Sequence, residues 1–383
     1  MKFVFTDRKG AQAIWGLVNH VAAALVARGD GVTFCRWDDG RQVEPPPVPA
    51  GVEVVDVAVP PKERIWHLVG QHRRFAEAFR PLLRRVRPDV VHTNFCVPGV
   101  AARVLAARQR VPVIVSTQHE TYRSMYPHYR WSVRLTEPQA TAVVYVSRAV
   151  ARSFGRSAPL ASEIRDGRLP RHVVIPNGID VAGIAASCKN AGHREPYKLV
   201  CSGRLVDVKG QDVLIRAMPR VAGQFPAVRL LMIGTGPRET TLVQLASSLG
   251  VSDQVDFTGW LPHDHVLREV ATAAVAVVPS DAQEGFGLVV AEAMACQTPI
   301  VASRIPVFEE LLTEDGRCGL FFKKKSPESL SETICRVLSL PEGAAERAAR
   351  ARLRVAERFS ADRMVGDYLR LYDSLERQGS ADA

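Results

Sequence analysis

Hydrophobic positions along this chain come in short β-branched runs, separated by longer stretches whose apolar residues recur at helical spacing. In the first half the runs are KFVFT, GVTFCRW, VEVVDVAV, DVVHT, VPVIVSTQH, AVVYVS and HVVIPNG. Most are continuous rather than alternating, the pattern of parallel strands covered on both faces. Between them lie helical segments such as AIWGLVNHVAAALVARG, closed by Gly29 as a helix end favours. The pattern then restarts with YKLVCSGRL, VRLLMIGTG, QVDFTGW, AVAVVPS and PIVAS. A polar stretch around AASCKNAGHREP separates the two series and reads as a linker. The last segment, SADRMVGDYLRLYDSLERQ, opens on Ser360 as a candidate N-cap. Its apolar stripe runs through Met364, Tyr368, Leu371 and Leu375. This alternation predicts an α/β chain of two Rossmann-like, doubly wound domains facing a cleft, with a C-terminal helix closing back on the first domain. The expected divisions are a first domain at 1–183, a linker at 184–196, a second domain at 197–357 and a crossover helix with tail at 358–383.

Composition changes this picture little. At 383 residues the chain has room for two domains, and 46% apolar with 23% charged residues is an ordinary globular balance. No apolar run reaches the ~18 residues of a spanning helix. The opening MKFVFTDRKG is too short in its apolar part for a secretory signal and reads as the first strand. Seven cysteines without a C-x-x-C pair predict reduced thiols and a cytoplasmic location. Zinc-type spacing is absent and His263–His265 alone does not argue for a metal, so no metal and no cofactor are expected. The net charge of +10, from 50 basic and 40 acidic side chains, fits an anionic small substrate, an anionic membrane surface or simply an arginine-rich solvated surface. Zinc-finger, RNA-binding aromatic and basic-zipper patterns are all missing, which sets nucleic acid aside.

The unusual residues follow directly after the strand candidates, at the edge where open α/β sheets bind ligands. Arg204 and Lys209 follow KLVCSG. They are either two cations for one anionic group, a fork and a point charge, or two surface cations. The strand RLLMIG runs into Gly234 and Gly236, which permit tight turns and close backbone approach to a ligand. A dinucleotide fingerprint fails there, since Glu239 stands where the third glycine belongs. After AVAVVPS, the loop SDAQEGFGL enters a helix beginning VVAEAMA. Amides at such a helix start suit a pyrophosphate. Glu284 before it suits sugar hydroxyls, and Glu292 is either a ribose ligand or a helix-surface acid. A nucleotide sugar uses all three features.

The pairing of E-G-F-G-L-x-x-x-E-A-M-A with S-G-R-L-x-x-x-K-G upstream resembles the retaining glycosyltransferases of family 4, which have the GT-B fold. G-x-G-P, the VDFTGW strand, NGID at Asn177 to Asp180 and SPESL extend the resemblance over both halves. It implies that Arg204 and Lys209 neutralise the donor diphosphate, with Gly10 in the first loop letting backbone amides approach it. Glu284, with the backbone at Phe286, Gly287 and Leu288, is implied to bind the donor sugar. Glu292, Trp260, Gly234 and Gly236 are implied to lie along the nucleoside, and His119 beside the reacting centre. Acceptor contacts are assigned to Tyr122, Trp15 and Asn94. Two departures stand out. Lys9-Gly10-Ala11-Gln12 replaces the family's paired glycines, and Gln297 stands where A-C-G-T-P has glycine.

The resulting expectation is a metal-independent, retaining transferase moving a sugar from a UDP- or GDP-sugar to a small-molecule acceptor, with antibiotic or other natural-product glycosylation as one setting. No D-x-D sequence is present to hold Mg²⁺. Alternatives are a lipid or cell-wall acceptor met at the membrane surface, a nucleotide-sugar epimerase and a non-catalytic sugar-nucleotide sensor. The basic amphipathic stretch HLVGQHRRFAEAFRPLLRRVRP either docks on a membrane or packs on its sheet with its arginines in water. Tyr122, Tyr126, Tyr129 and Trp131 either stack on sugar rings or anchor their loop on the core.

Overall fold

The computed structural model describes residues 1–40, 45–59, 67–94, 96–164, 169–189, 191–281, 284–313 and 315–381. The chain divides into two compact units, Met1–Gly178 together with Ala361–Ala383, and Ile179–Ser360. Each is built on one parallel sheet.

In the first unit the strands are β1 (Lys2–Arg8), β2 (Gly31–Asp38), β3 (Val52–Ala58), β4 (Val90–Thr93), β5 (Val113–Gln118), β6 (Ala142–Tyr145) and β7 (His172–Val174). Their order is β3-β2-β1-β4-β5-β6-β7, so the winding reverses between β1 and β4. Every strand candidate of the first half is a strand here. The central ones are buried end to end, as β4, β5 and β6 show, because helices cover both faces.

The C-terminal helix Ala361–Ala381 belongs to this first unit. Its stripe of Met364, Tyr368, Leu371 and Leu375 is buried, as is Tyr372. The Tyr372 ring meets Phe3 edge-on at 5.0 Å. His92 of β4 is locked between the Tyr372 hydroxyl and the Thr117 hydroxyl, 2.7 Å from each, and Tyr368 reaches Thr117 at 3.2 Å. A helix remote in sequence is therefore held by apolar burial and by hydrogen bonds inside the core, where a broken one is costly.

The second unit contains β8 (Glu195–Ser202), β9 (Arg229–Ile233), β10 (Val255–Gly259), β11 (Ala273–Val278), β12 (Ile300–Ser303) and β13 (Leu320–Phe322). The order is β10-β9-β8-β11-β12-β13, all parallel, and the winding reverses between β8 and β11. Strand β13 was not anticipated. Three residues, Leu320-Phe321-Phe322, next to Lys323-Lys324-Lys325 are too few to show a period. The stretch expected to be a linker also differs. A helix, Val181–Cys188, occupies its start, N-capped by Asp180 through the Gly183 amide at 2.8 Å. Strand β8 already begins at Glu195, and Asn190 lies outside the described residues. Small residues in VAGIAASC carry no polar–apolar contrast, so the helix did not announce itself. Among the described residues, no helix is long and apolar enough to cross a membrane.

Gln297 explains the sequence departure noted above. It lies just past the helix Leu288–Ala295 with φ of 56°, the left-handed region that glycine enters without steric cost. A non-glycine residue pays about 1–2 kcal/mol there, while glycine adds roughly 0.5–1 kcal/mol of unfolded-chain entropy. Gln297→Gly is therefore expected to stabilise the protein by roughly 0.5 kcal/mol and to raise Tm by about 1–2 °C. A calorimetric scan showing an unchanged or lower Tm would contradict the strain argument.

Candidate functional site

Both reversals of winding place strand-end loops side by side, and several residues singled out in the sequence lie on these loops. In the second unit the relevant loops follow β8 and β11. Leu205 anchors the first loop in the core while Arg204 stays exposed. Gly210 ends the turn Asp207–Lys209 in a left-handed conformation with φ of 67°. A Cβ at Gly210 would stand 2.3 Å from the Pro279 carbonyl oxygen, so the loop can dock on the end of β11 only with glycine there. The Asp281 amide closes that contact by donating to the Val208 carbonyl at 2.8 Å.

That docking brings Lys209 to Glu284. The Lys209 ammonium donates to Glu284 Oε1, which also accepts from the Ser280 hydroxyl at 2.9 Å. Both charged side chains are about four-fifths buried, with 22% and 19% exposure. Ala282 and Gln283 of the same loop lie outside the described residues. Beyond Glu284 the chain turns through buried Phe286 and through Gly287 at φ of 93°, then enters the helix Leu288–Ala295. A Cβ at Gly287 would meet the Phe308 ring at 2.7 Å. No side chain caps this helix, which leaves the partial positive charge of its first turn for a ligand. Arg204 makes no ion pair among the described residues. The loops after β8 and β11 thus carry an exposed guanidinium, a lysine paired with a carboxylate and an uncapped helix start, groups suited to an anion and to hydroxyls.

Glu292, on the same helix, is 3.0 Å from His263 Nε2. That hydrogen bond is the main reason the imidazole is more basic than usual, against an opposing effect of burial. Sequence reasoning missed His263 in this role. The two residues are 29 positions apart, and the only signal was a pair of histidines at a helix start. Trp260 is 72% exposed. Gly234 and Gly236 approach protein rather than open space. A Cβ would stand 2.2 Å from the Gly203 carbonyl oxygen at one and 2.3 Å from that of Leu205 at the other. Their glycines lace the β8 and β9 loops together, through bonds such as Leu205 amide to Thr235 carbonyl at 3.0 Å.

In the first unit, β1, β4 and β5 end together and bring Asp7, Asn94 and His119 into one corner. The Asn94 amide donates to the Thr6 carbonyl at 3.3 Å, and His119 Nε2 lies 3.4 Å from Asn94 Oδ1. Burial lowers the His119 pKa to about 3, although the residue keeps some exposed surface; the ring is neutral. Asp7 is fully buried. Desolvation is the largest influence and raises its pKa to about 7, against the Arg8 amide and charge. Asp7 Oδ2, Asn94 Nδ2 and Thr6 Oγ1 are buried without a hydrogen-bond partner. Such groups cost about 1–3 kcal/mol each unless a polar molecule completes them. Asp7 was not singled out in the sequence, where an acid ending the apolar run KFVFTD was the available sign.

One acceptor assignment changes. Trp15 is 1% exposed; its ring lies 4.7 Å from Phe34 and its Nε1 donates to the Arg8 carbonyl at 2.8 Å. The indole is a core residue that props the first loop from beneath and has no face for an acceptor. Tyr122 packs on Phe154 at 5.2 Å, with the Arg134 guanidinium 4.7 Å from its ring centre, and keeps some exposed surface. Tyr126 and Trp131, by contrast, are exposed. Gly10 sits exposed in the turn before the helix Gln12–Ala27. Its neighbour Lys9 is held by Asp38 at 2.8 Å and Asp56 at 3.1 Å.

Because folded Asp7 binds its proton more tightly than the unfolded chain does, its contribution to stability is complete below about pH 4 and is lost as pH rises toward 7. His119 and His92, both lowered by burial, act oppositely and lose stability as pH falls from about 6.5 toward 3. Asp7→Asn removes only the first effect. The wild-type stability relative to this variant is therefore expected to fall between pH 4 and 7 in denaturant titrations. A difference independent of pH would show that Asp7 is not buried as the acid.

Similarity to known proteins agrees with this geometry. Residues 187–354 match the model of the family described as Glycosyl transferases group 1, and residues 14–178 match the Glycosyl transferase 4-like domain. A GDP-mannose-dependent monoacylated alpha-(1-6)-phosphatidylinositol monomannoside mannosyltransferase of Corynebacterium glutamicum is 31% identical over 74% of this chain and 76% of that relative. A glycogen synthase of Mycobacterium tuberculosis is 30% identical over 89% and 86%. With a GDP-mannose-dependent alpha-(1-6)-phosphatidylinositol monomannoside mannosyltransferase of Mycolicibacterium smegmatis, identity is 33% over 64% of this chain and 65% of that relative. Anabaena Alr3699/HepE, solved in complex with UDP-glucose, shares the fold with a TM-score of 0.77 at 20% identity, over 98% of this chain and 100% of that one. Sucrose-phosphate synthase of Thermosynechococcus elongatus does so with 0.77 at 22%, over the whole of both chains. The chain belongs to the glycosyl transferases group 1 family and is a GT-B glycosyltransferase.

Proposed function

We propose that this protein transfers a sugar from a nucleotide-sugar donor, a UDP- or GDP-sugar, to a hydroxyl of its acceptor with retention and without a metal. The observation that carries the proposal is the Lys209–Glu284–Ser280 cluster of the second unit, on the same strand-end loops that bear the exposed Arg204 and lead into the uncapped helix Leu288–Ala295. The diphosphate takes Arg204, Lys209 and the helix amides; Glu284 accepts from the sugar hydroxyls, and Glu292, oriented by His263, from the ribose. As the glycosidic bond breaks, negative charge gathers on the leaving diphosphate. Fixed cations and amides stabilise that charge with little reorganisation. In the first unit burial holds His119 neutral, so its imidazole offers hydrogen bonding rather than positive charge. The acceptor hydroxyl loses its proton to the leaving phosphate oxygen, with attack on the same face. Relatives named for phosphatidylinositol mannosides, and another named D-inositol 3-phosphate glycosyltransferase, favour a polyol acceptor. The unpaired Asp7 Oδ2 and Asn94 Nδ2 suit its hydroxyls. A natural-product acceptor is the second reading, and an inositol headgroup offered free or on lipid separates the cases.

Arg204→Ala leaves no carboxylate orphaned, and calorimetry is expected to show about tenfold weaker binding of the nucleoside diphosphate, near the value of one charge-assisted hydrogen bond. Binding of the nucleoside alone should be unchanged. Equal affinity of variant and wild type for the diphosphate would remove Arg204 from the phosphate role. Turnover in excess EDTA should match turnover without it, and the product linkage read by NMR should be α from an α-linked donor. A β-linkage, or loss of activity with EDTA, would overturn retention or metal independence respectively.

A further inference from the structure

Cys188 ends the helix Val181–Cys188, and Cys296 caps the end of the helix Leu288–Ala295. They are 108 residues apart in sequence, yet their sulfurs lie 3.4 Å from each other. Both thiols also face the Leu267 carbonyl, at 3.9 and 3.7 Å. A disulfide needs about 2.05 Å between sulfurs, so a movement of little more than 1 Å closes the bond. Cys188 is partly exposed and Cys296 is buried. The hydrogen bond between Cys188 and Cys296 holds the Cys188 thiol below the usual range, opposed by burial and assisted by Arg352. The same bond, with burial, raises Cys296. Cys35, Cys201, Cys318 and Cys335 are buried, and burial raises each of their thiols. The pair is thus a nucleophile within reach of oxidant, with a resolving thiol against it.

We infer that Cys188 and Cys296 form a peroxide-sensitive dithiol whose closure to a disulfide weakens the nucleoside end of the donor site. The Cys188 thiolate attacks hydrogen peroxide, the O–O bond breaks, and the departing hydroxide leaves as water once protonated. The resulting sulfenic sulfur is attacked by Cys296, whose proton departs with the sulfenic hydroxyl as a second water. Two thiols and one peroxide thus become one disulfide and two waters, and a reducing dithiol reverses the change. The link to the site is the helix itself. Glu292 lies one turn before Cys296, whose amide donates to the Glu292 carbonyl at 2.9 Å. Glu292 is paired to His263 on the helix His263–Thr272, the element that also supplies Leu267. Tension on Cys296 therefore reaches both members of the Glu292–His263 pair. This coupling rests on the donor reading above; the disulfide does not.

The experiment treats the full-length protein with hydrogen peroxide, counts thiols after denaturation and maps disulfide-linked peptides. The expected result is the loss of two of the seven thiols, a Cys188–Cys296 linkage and recovery with dithiothreitol. Cys296→Ser should lose the linkage and accumulate a dimedone-reactive sulfenic acid at Cys188. No loss of thiols, or linkage through other cysteines, overturns the site. Affinity for UDP and GDP is then compared in both states. Oxidation should weaken the bound nucleotide by about fivefold or more in wild type and leave Cys188→Ser unaffected. A disulfide that forms without changing affinity overturns the coupling. Failure of either nucleotide to bind the reduced protein overturns the donor reading and the coupling with it, while the thiol count still decides the disulfide.

Discussion

Parallel pairing is the constraint from which the functional geometry follows. In each sheet every strand runs the same way, so all loops after strands leave from one edge, and the helices that follow start there. Where the winding reverses, between β1 and β4 in one unit and between β8 and β11 in the other, two neighbouring loops diverge and leave room between them. Lys209 and Glu284 meet at one reversal; Asp7 and Asn94 sit at the other. Neither grouping depends on proximity in sequence. Each depends on strand order, which in turn depends on long buried strands that tolerate helices on both faces.

The two units use burial for opposite electrostatic ends. In the second unit a helix start, two basic side chains and two acids are arranged so that each carboxylate has a donor, Lys209 and Ser280 for Glu284 and His263 for Glu292. The acids stay available as acceptors beside a cationic corner, which is the combination a sugar diphosphate requires. In the first unit burial suppresses charge. His92 and His119 are held neutral and Asp7 is held toward its acid form. The docked C-terminal helix takes part through Tyr372, which with Thr117 holds both ring nitrogens of His92.

Much of the fold was legible because short β-branched runs, most of them continuous, are the pattern of buried parallel strands, and twelve of the thirteen strands among the described residues were marked by such runs. What failed to show was short or contrast-free, such as Leu320–Phe322 and the small-residue helix Val181–Cys188. The placing of candidate site residues was legible where they follow directly after a strand, as with Arg204, Lys209 and Glu284. Roles defined by a distant partner were not. Nothing in the sequence links His263 to Glu292 or Cys188 to Cys296, and Trp15 looked available until Phe34 and the Arg8 carbonyl were seen to enclose it. Glycines were ambiguous for a related reason. Gly234 approaches another backbone, and a sequence does not tell a protein carbonyl from a ligand.

The central claim is that the second unit recognises a nucleoside diphosphate and its sugar. The most direct test is a thermal-shift series of the full chain with UDP, GDP, ADP and their common sugars, in buffer without metal. A ligand bound only by the folded state stabilises it by about 2.7 kcal/mol at a hundred times its Kd. The account predicts a raised midpoint with one nucleotide family. An unmoved midpoint with every ligand at millimolar concentration, in a protein whose fold is intact, would contradict it.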